Sequence, residues 1–145
     1  MKELDAIAAR LRGATTLADL LDAGFDAFEV VRLVARAGED CAPELFAAFM
    51  TAAGTAVEGR NALNDAPSLP PATAPPPAIT MSATLDADHI ADELAALAAL
   101  LTQRLAEASA QTAGEGDRAA CQHATCAAAD IHRLLARGLD ETAAR

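Results

Sequence analysis

The chain reads as an all-α protein: a helical bundle of short N-terminal helices, a Pro-rich strap, and a long C-terminal antiparallel helical hairpin. Three observations predict this class. Forty of the 145 residues are alanine, the best helix former, with no rotamer freedom to lose. Aromatic residues are 3 % of the chain, with no Trp or Tyr, and β-branched residues are too sparse for several strands. Apolar side chains recur at three- and four-residue spacing, not at every second position. Alanine buries little area, so such helices gain stability only by approaching closely.

The elements follow from stripes, caps and stops. Residues 2–12 carry Leu4, Ile7, Ala8 and Leu11 on one face, and Gly13 follows as a stop. Thr16 is placed to cap a helix over 17–23 that Gly24 ends, and Asp26 to cap another over 27–37 that Gly38 ends. Pro43 suits the first turn of a helix running to about residue 60. Its buried face is predicted as Leu45, Phe46, Phe49, Met50, Ala53 and Val57. All four phenylalanines lie between positions 25 and 49, which places the aromatic core in this half.

The stretch 66–83, "APSLPPATAPPPAITMSA", holds six of the seven prolines and no charge. Such a sequence favours an extended, semi-rigid strap, with Ile79 and Met81 as docking side chains. It divides the chain into an N-terminal helical subdomain (1–65), the strap (66–83) and a C-terminal hairpin (84–145), expected to pack as one body. In the hairpin, Asp86 caps a helix to about Ala110 with the stripe Ile90, Leu94, Leu97, Leu101, Leu105 and Ala108. Residues 111–117 turn. A second helix runs from about Asp117 to Arg137, with Gly138 as its stop and Ala120, Ala124, Ala127, Ile131, Leu134 and Leu135 as its apolar face. A turn this short forces antiparallel packing.

Charge and cysteine usage bound the function. The net charge is −10, shared evenly by the two halves, which disfavours nucleic acid and anionic lipid surfaces as partners. The segment 17–34 has a helix-turn-helix silhouette. Its second helix opens Asp26, Ala27, Phe28, Glu29, where DNA reading needs basic and amide side chains. Three cysteines without framework spacing fit a reduced, cytoplasmic setting, and no apolar run is long enough to cross a bilayer. The single lysine against ten arginines fits the codon bias of a GC-rich bacterial genome.

Chemistry-bearing side chains concentrate in "CQHATCAAADIHRLLARG" (121–138). His123, Cys126 and Asp130 share an arc of about 60° on a helix, with Cys121 and His132 on other faces. Zinc accepts such ligand types, but the hairpin register would set His123 opposite Arg104, a cation hostile to a metal, so no metal or cofactor is expected. His89 and Glu93 stand one helical turn apart and could form an acid–base pair. Cys41 precedes a helix among Glu39, Asp40 and Glu44, whose charge disfavours a thiolate. No nucleophile elbow or phosphate loop occurs.

The expected function is therefore a non-catalytic accessory or scaffolding protein. It would bind another protein chain, either its own copy in a homo-oligomer or a larger catalytic subunit in a heteromeric complex. Leu94, Leu97, Leu100, Leu101 and Leu105 are the expected partner-binding side chains, because a two-helix hairpin with one leucine seam buries too little to stand alone. An acidic surface suits a partner with a basic face. The alternative is a small cofactor-free enzyme, or a bundle binding an apolar ligand, with His89, Glu93, His123 and Asp130 as acid–base groups around a cavity.

Overall fold

Helix α1 (Lys2–Gly13) is followed by α2 (Leu17–Gly38), a short 3-10 turn (Pro43–Leu45), α3 (Phe46–Asn64), α4 (Ala87–Gln111) and α5 (Glu115–Ala143). The computed structural model describes residues 1–72, 79 and 86–143, with 138–143 by their backbone alone, and contains no strand among them. Helix α2 packs on α3, α3 on α5, α5 on α4, and α4 on α2, which closes a ring of four neighbours; α1 lies against α2 and α4.

Specific contacts give the directions. Gly38 of α2 meets Phe49 of α3, and Glu29 of α2 pairs with Arg60 of α3, so these helices are antiparallel. Ser68, just past α3, is tied to Asp117 at the start of α5, so α3 and α5 are also antiparallel. Only Thr112–Gly114 separates α4 from α5. Neighbours in the ring therefore alternate in direction, the arrangement of a four-helix bundle. The end of α3 and the start of α4 consequently lie at opposite ends of the bundle. The expected strap over 66–83 falls between them, with 73–78 and 80–83 outside the described residues.

The caps form where the local chemistry calls for them. Thr16 Oγ1 accepts from the Asp19 backbone N–H at 3.1 Å, and Asp86 Oδ1 accepts from the Asp88 N–H at 3.1 Å. The leucine stripe of α4 is buried throughout, from Ile90 to Ala108, as is the alanine face of α5 apart from half-buried Leu134.

Three expectations are corrected. The segment 17–38 is one helix, not two: Gly24 sits inside α2 and is buried. A Cβ there would approach Leu63 Cδ1 at 3.1 Å, so this glycine admits the neighbouring helix and does not end its own. Asp26 accordingly caps nothing and receives Arg10 of α1 at 2.8 Å. Gly138 likewise does not stop α5, which continues to Ala143. The third correction concerns α3. Phe46 and Met50, expected in the core, are 44 % and 49 % exposed, and Val57 is half-buried. The buried arc is instead Phe49, Ala52, Ala53, Ala56, Gly59 and Leu63. Helix α3 is pressed so closely between α2 and α5 that its small residues must face inward. A Cβ on Gly59 would come within 2.4 Å of the Phe28 ring.

Candidate functional site

Four of the five leucines expected to meet a partner belong to the protein's own core. Leu94, Leu101 and Leu105 are fully buried and Leu97 nearly so, covered by α1, α2 and α5. Leu100 is half-buried and, with Leu97, lines a shallow groove against Leu4 and Ala8 of α1. The buried stripe of α4 is thus covered by other helices of the same chain, with Leu100 left half-exposed.

The acid–base candidates do not converge. His89 is 60 % exposed, with Nε2 at 3.6 Å from Glu93 Oε1. Glu93 is already engaged: the Met1 α-amine donates to its two oxygens at 2.7 and 2.8 Å, which holds the start of α1 on α4. His123, Cys126 and Asp130 lie on α5 in a cleft against α3, whereas Glu93 borders a groove against α1. They face α3, not Arg104, which instead donates to the Leu11 and Ala14 carbonyls at 3.0 and 2.6 Å and caps the end of α1. The hairpin register anticipated the wrong neighbour because it considered two helices, where α5 sits between two others.

The cleft between α3 and α5 has a volume of about 460 Å³ and is lined by Glu58, Asn61, Ala62, Asp65, His123, Cys126, Ala127 and Asp130. Asp130 is paired with Arg133 one turn along; Glu58 and Asp65 have no ion-pair partner among the described residues. No group of three His, Cys, Asp or Glu side chains among the described residues converges closely enough to hold a metal ion. Cys121 is buried, and burial together with the Asp117 carboxylate pushes its thiol pKa up, which keeps it protonated and unreactive at neutral pH. Cys41 is exposed and its thiol donates to the Ala37 carbonyl at 3.5 Å.

A larger cleft, about 620 Å³, opens at the bundle end that carries the α1–α2 and α4–α5 turns. Its charged residues are Arg104, Glu107 and Asp117, and none of His89, Glu93, His123 or Asp130 reaches it. Arg104 is occupied by carbonyls and by Glu107 at 3.0 Å, and Asp117 by Ser68.

The feature with no internal role lies on α3. Phe46 and Met50 are the exposed large hydrophobics among the described residues. They stand one turn apart, and a helical projection puts them on the same outward arc as Ala47, Gly54, Glu58, Asn61 and Asp65, all exposed. Gly54 has open space where a Cβ would be, so the middle of the stripe is smooth. The face is apolar at the α3 N-terminus and acidic at its C-terminus, where it merges with the α3–α5 cleft.

Sequence reasoning missed this face because Phe46 and Met50 fit a plausible apolar stripe. The available signal was the competing run of small residues at 52, 53, 56 and 59, which in an alanine-rich bundle marks the side of closest approach. No protein-family model, no curated protein and no solved structure matches the chain.

Proposed function

We propose that this protein is a non-catalytic accessory or scaffolding subunit that binds another protein chain through the outward face of α3. The observation that carries this reading is the exposure of Phe46 and Met50 in a bundle whose other large apolar side chains, among the described residues, are buried wholly or in part. Exposed aromatic and thioether groups side by side are typical of contact patches, and methionine adapts to the shape it meets. Stable burial of the α4 leucines inside the chain supports a preformed surface, so the partner would bind a folded bundle and not complete it. The finer architecture belongs to the same reading: the α4–α5 hairpin and the Pro-rich strap close the bundle and leave α3 as the working face.

The enzyme alternative has less behind it. Its four candidate groups are split between two places, and Glu93 and Asp130 are each taken up in an ion pair. The cytoplasmic setting expected from cysteine usage is kept as part of the proposal; among the described residues no helix is long and apolar enough to cross a membrane.

The test is a photo-crosslinking amino acid placed at Met50 and, as a control, at Asp19 on α2. A single discrete adduct from Met50 and none from Asp19 is the expected result in the native cell. Equal, diffuse labelling from both positions would remove the reading.

A further inference from the structure

We infer that the occupant of the α3 face is a different protein presenting a basic, amphipathic helix, and not a second copy of this chain. The inference rests on the proposed binding role of α3 and adds the chemistry of the partner.

The face is polar in one direction. Phe46 and Met50 stand at one end; Glu58 and Asp65, neither with an ion-pair partner among the described residues, stand at the other, at the mouth of the α3–α5 cleft. No Lys or Arg among the described residues lines that cleft. The last turn of α3 contains no basic residue, so the negative end of the helix dipole adds to the same field. From Met50 to Asp65 is fifteen residues of helix, about 22 Å. A partner helix of similar length, apolar at one end and carrying Lys or Arg at the other, matches both ends at once.

A second copy does not. Two-fold pairing of α3 faces along their full length, with the helices antiparallel, sets Phe46 and Met50 of one molecule against Glu58 and Asp65 of the other. That buries carboxylates beside apolar groups without a counter-charge, which is costly. Each molecule also carries a net charge of −10, so approach of two copies is opposed at long range, whereas a basic partner is steered in. The basic residues near the face do not relieve this. Arg60 is held by Glu29 and Arg133 by Asp130.

The probe is a fluorescein-labelled eighteen-residue helical peptide with leucines at one end and lysines on the same face at the other. A second peptide has glutamates in place of the lysines. Binding to the full chain is read by fluorescence anisotropy across a salt series. The lysine peptide is expected to bind, and the glutamate peptide at least tenfold more weakly. Met50→Ser together with Phe46→Ser is expected to weaken the lysine peptide about tenfold. Glu58→Lys with Asp65→Lys is expected to do the same and to flatten the salt dependence. The reversal Asp19→Lys with Asp22→Lys, on α2, changes the charge equally and is expected to leave binding within about twofold.

Equal loss from the α2 reversal would show attraction to net charge alone and overturn the inference. So would failure of the lysine peptide to bind. Sedimentation of the chain by itself adds a further arm: a dimer abolished by Met50→Ser would replace the basic partner with a second copy while leaving the binding role of α3 intact. A discrete crosslink from Met50 that survives Glu58→Lys and Asp65→Lys would likewise end this inference and spare that role.

Discussion

Glu29 shows how a buried charge is tolerated in this bundle. It is 7 % exposed and lies between Arg32, at 3.0 Å on the same helix, and Arg60 from α3. Burial pushes its carboxyl pKa up, but hydrogen bonds and charge from Arg32 and Arg60 outweigh that and hold it below the usual glutamate range. A depressed pKa contributes stability above the unfolded value and loses it as the pH falls through the folded value. Thermal melts between pH 7 and 3 should therefore show stability falling below about pH 4.3, with a shallower fall in Glu29→Gln. At pH 7 the substitution should cost about 2 kcal/mol, since the two arginines lose their counter-charge and one of two acceptor oxygens in a buried site.

Glycine has opposite meanings at two positions of α3. At Gly59 a methyl group would strike the Phe28 ring at 2.4–2.7 Å, and that ring is fully buried. Gly59→Ala should lower stability by about 1–3 kcal/mol, the usual range for overpacking. At Gly54 nothing stands within 4 Å. Gly54→Ala should raise stability by roughly 0.5–1 kcal/mol through helix propensity alone. Urea titration of the two variants measures both signs in one experiment.

Among the elements, α5 depends on a tie from outside itself. Asp117, in its first turn, is 8 % exposed. It accepts from the Ser68 backbone N–H at 3.0 Å and from the Ser68 hydroxyl at 2.6 Å. Pro67 packs so closely on Gly116 that a Cβ there would come within 3.0 Å of its ring. The chain leaving α3 is thereby fastened to the start of α5, which also sets the register of the two helices flanking the cleft. Asp117→Asn weakens both bonds by removing the charge. It should cost about 1–2 kcal/mol and raise amide exchange of the first turn of α5 more than that of α2.

Across the whole molecule, folding and the proposed binding should separate cleanly. The α4 leucines hold the bundle together: Leu101→Ala should cost about 2–5 kcal/mol, as for other fully buried leucines. Phe46→Ser and Met50→Ser remove exposed groups and should leave stability within roughly 0.5–1 kcal/mol, while Phe46→Ser should abolish crosslinking from a probe at position 50. Chemical denaturation beside the crosslinking assay checks both. If the two serine variants unfolded the protein, the exposed pair would be part of the core and the proposed face would lose its basis.

Residues read one at a time or in short windows carried most of the secondary structure. The leucine stripe of α4, the alanine face of α5, and the caps at Thr16 and Asp86 are local patterns, and local hydrogen bonding and periodicity suffice to form them. The same reasoning went astray wherever a residue's role depended on what came near it from elsewhere. Gly24 and Gly138 carry no local mark that separates a helix stop from a helix interior. Phe46 and Met50 carry none that separates core from surface, and His123 none that says which helix it faces. These were settled by the ring of four helices, because close approach admits only small side chains and turns α3 about its axis until its alanines face inward. That rotation leaves an apolar and acidic stripe facing outward; the small residues at 52, 53, 56 and 59 mark the inward side, and only packing against α2 and α5 decides that they prevail over Phe46 and Met50.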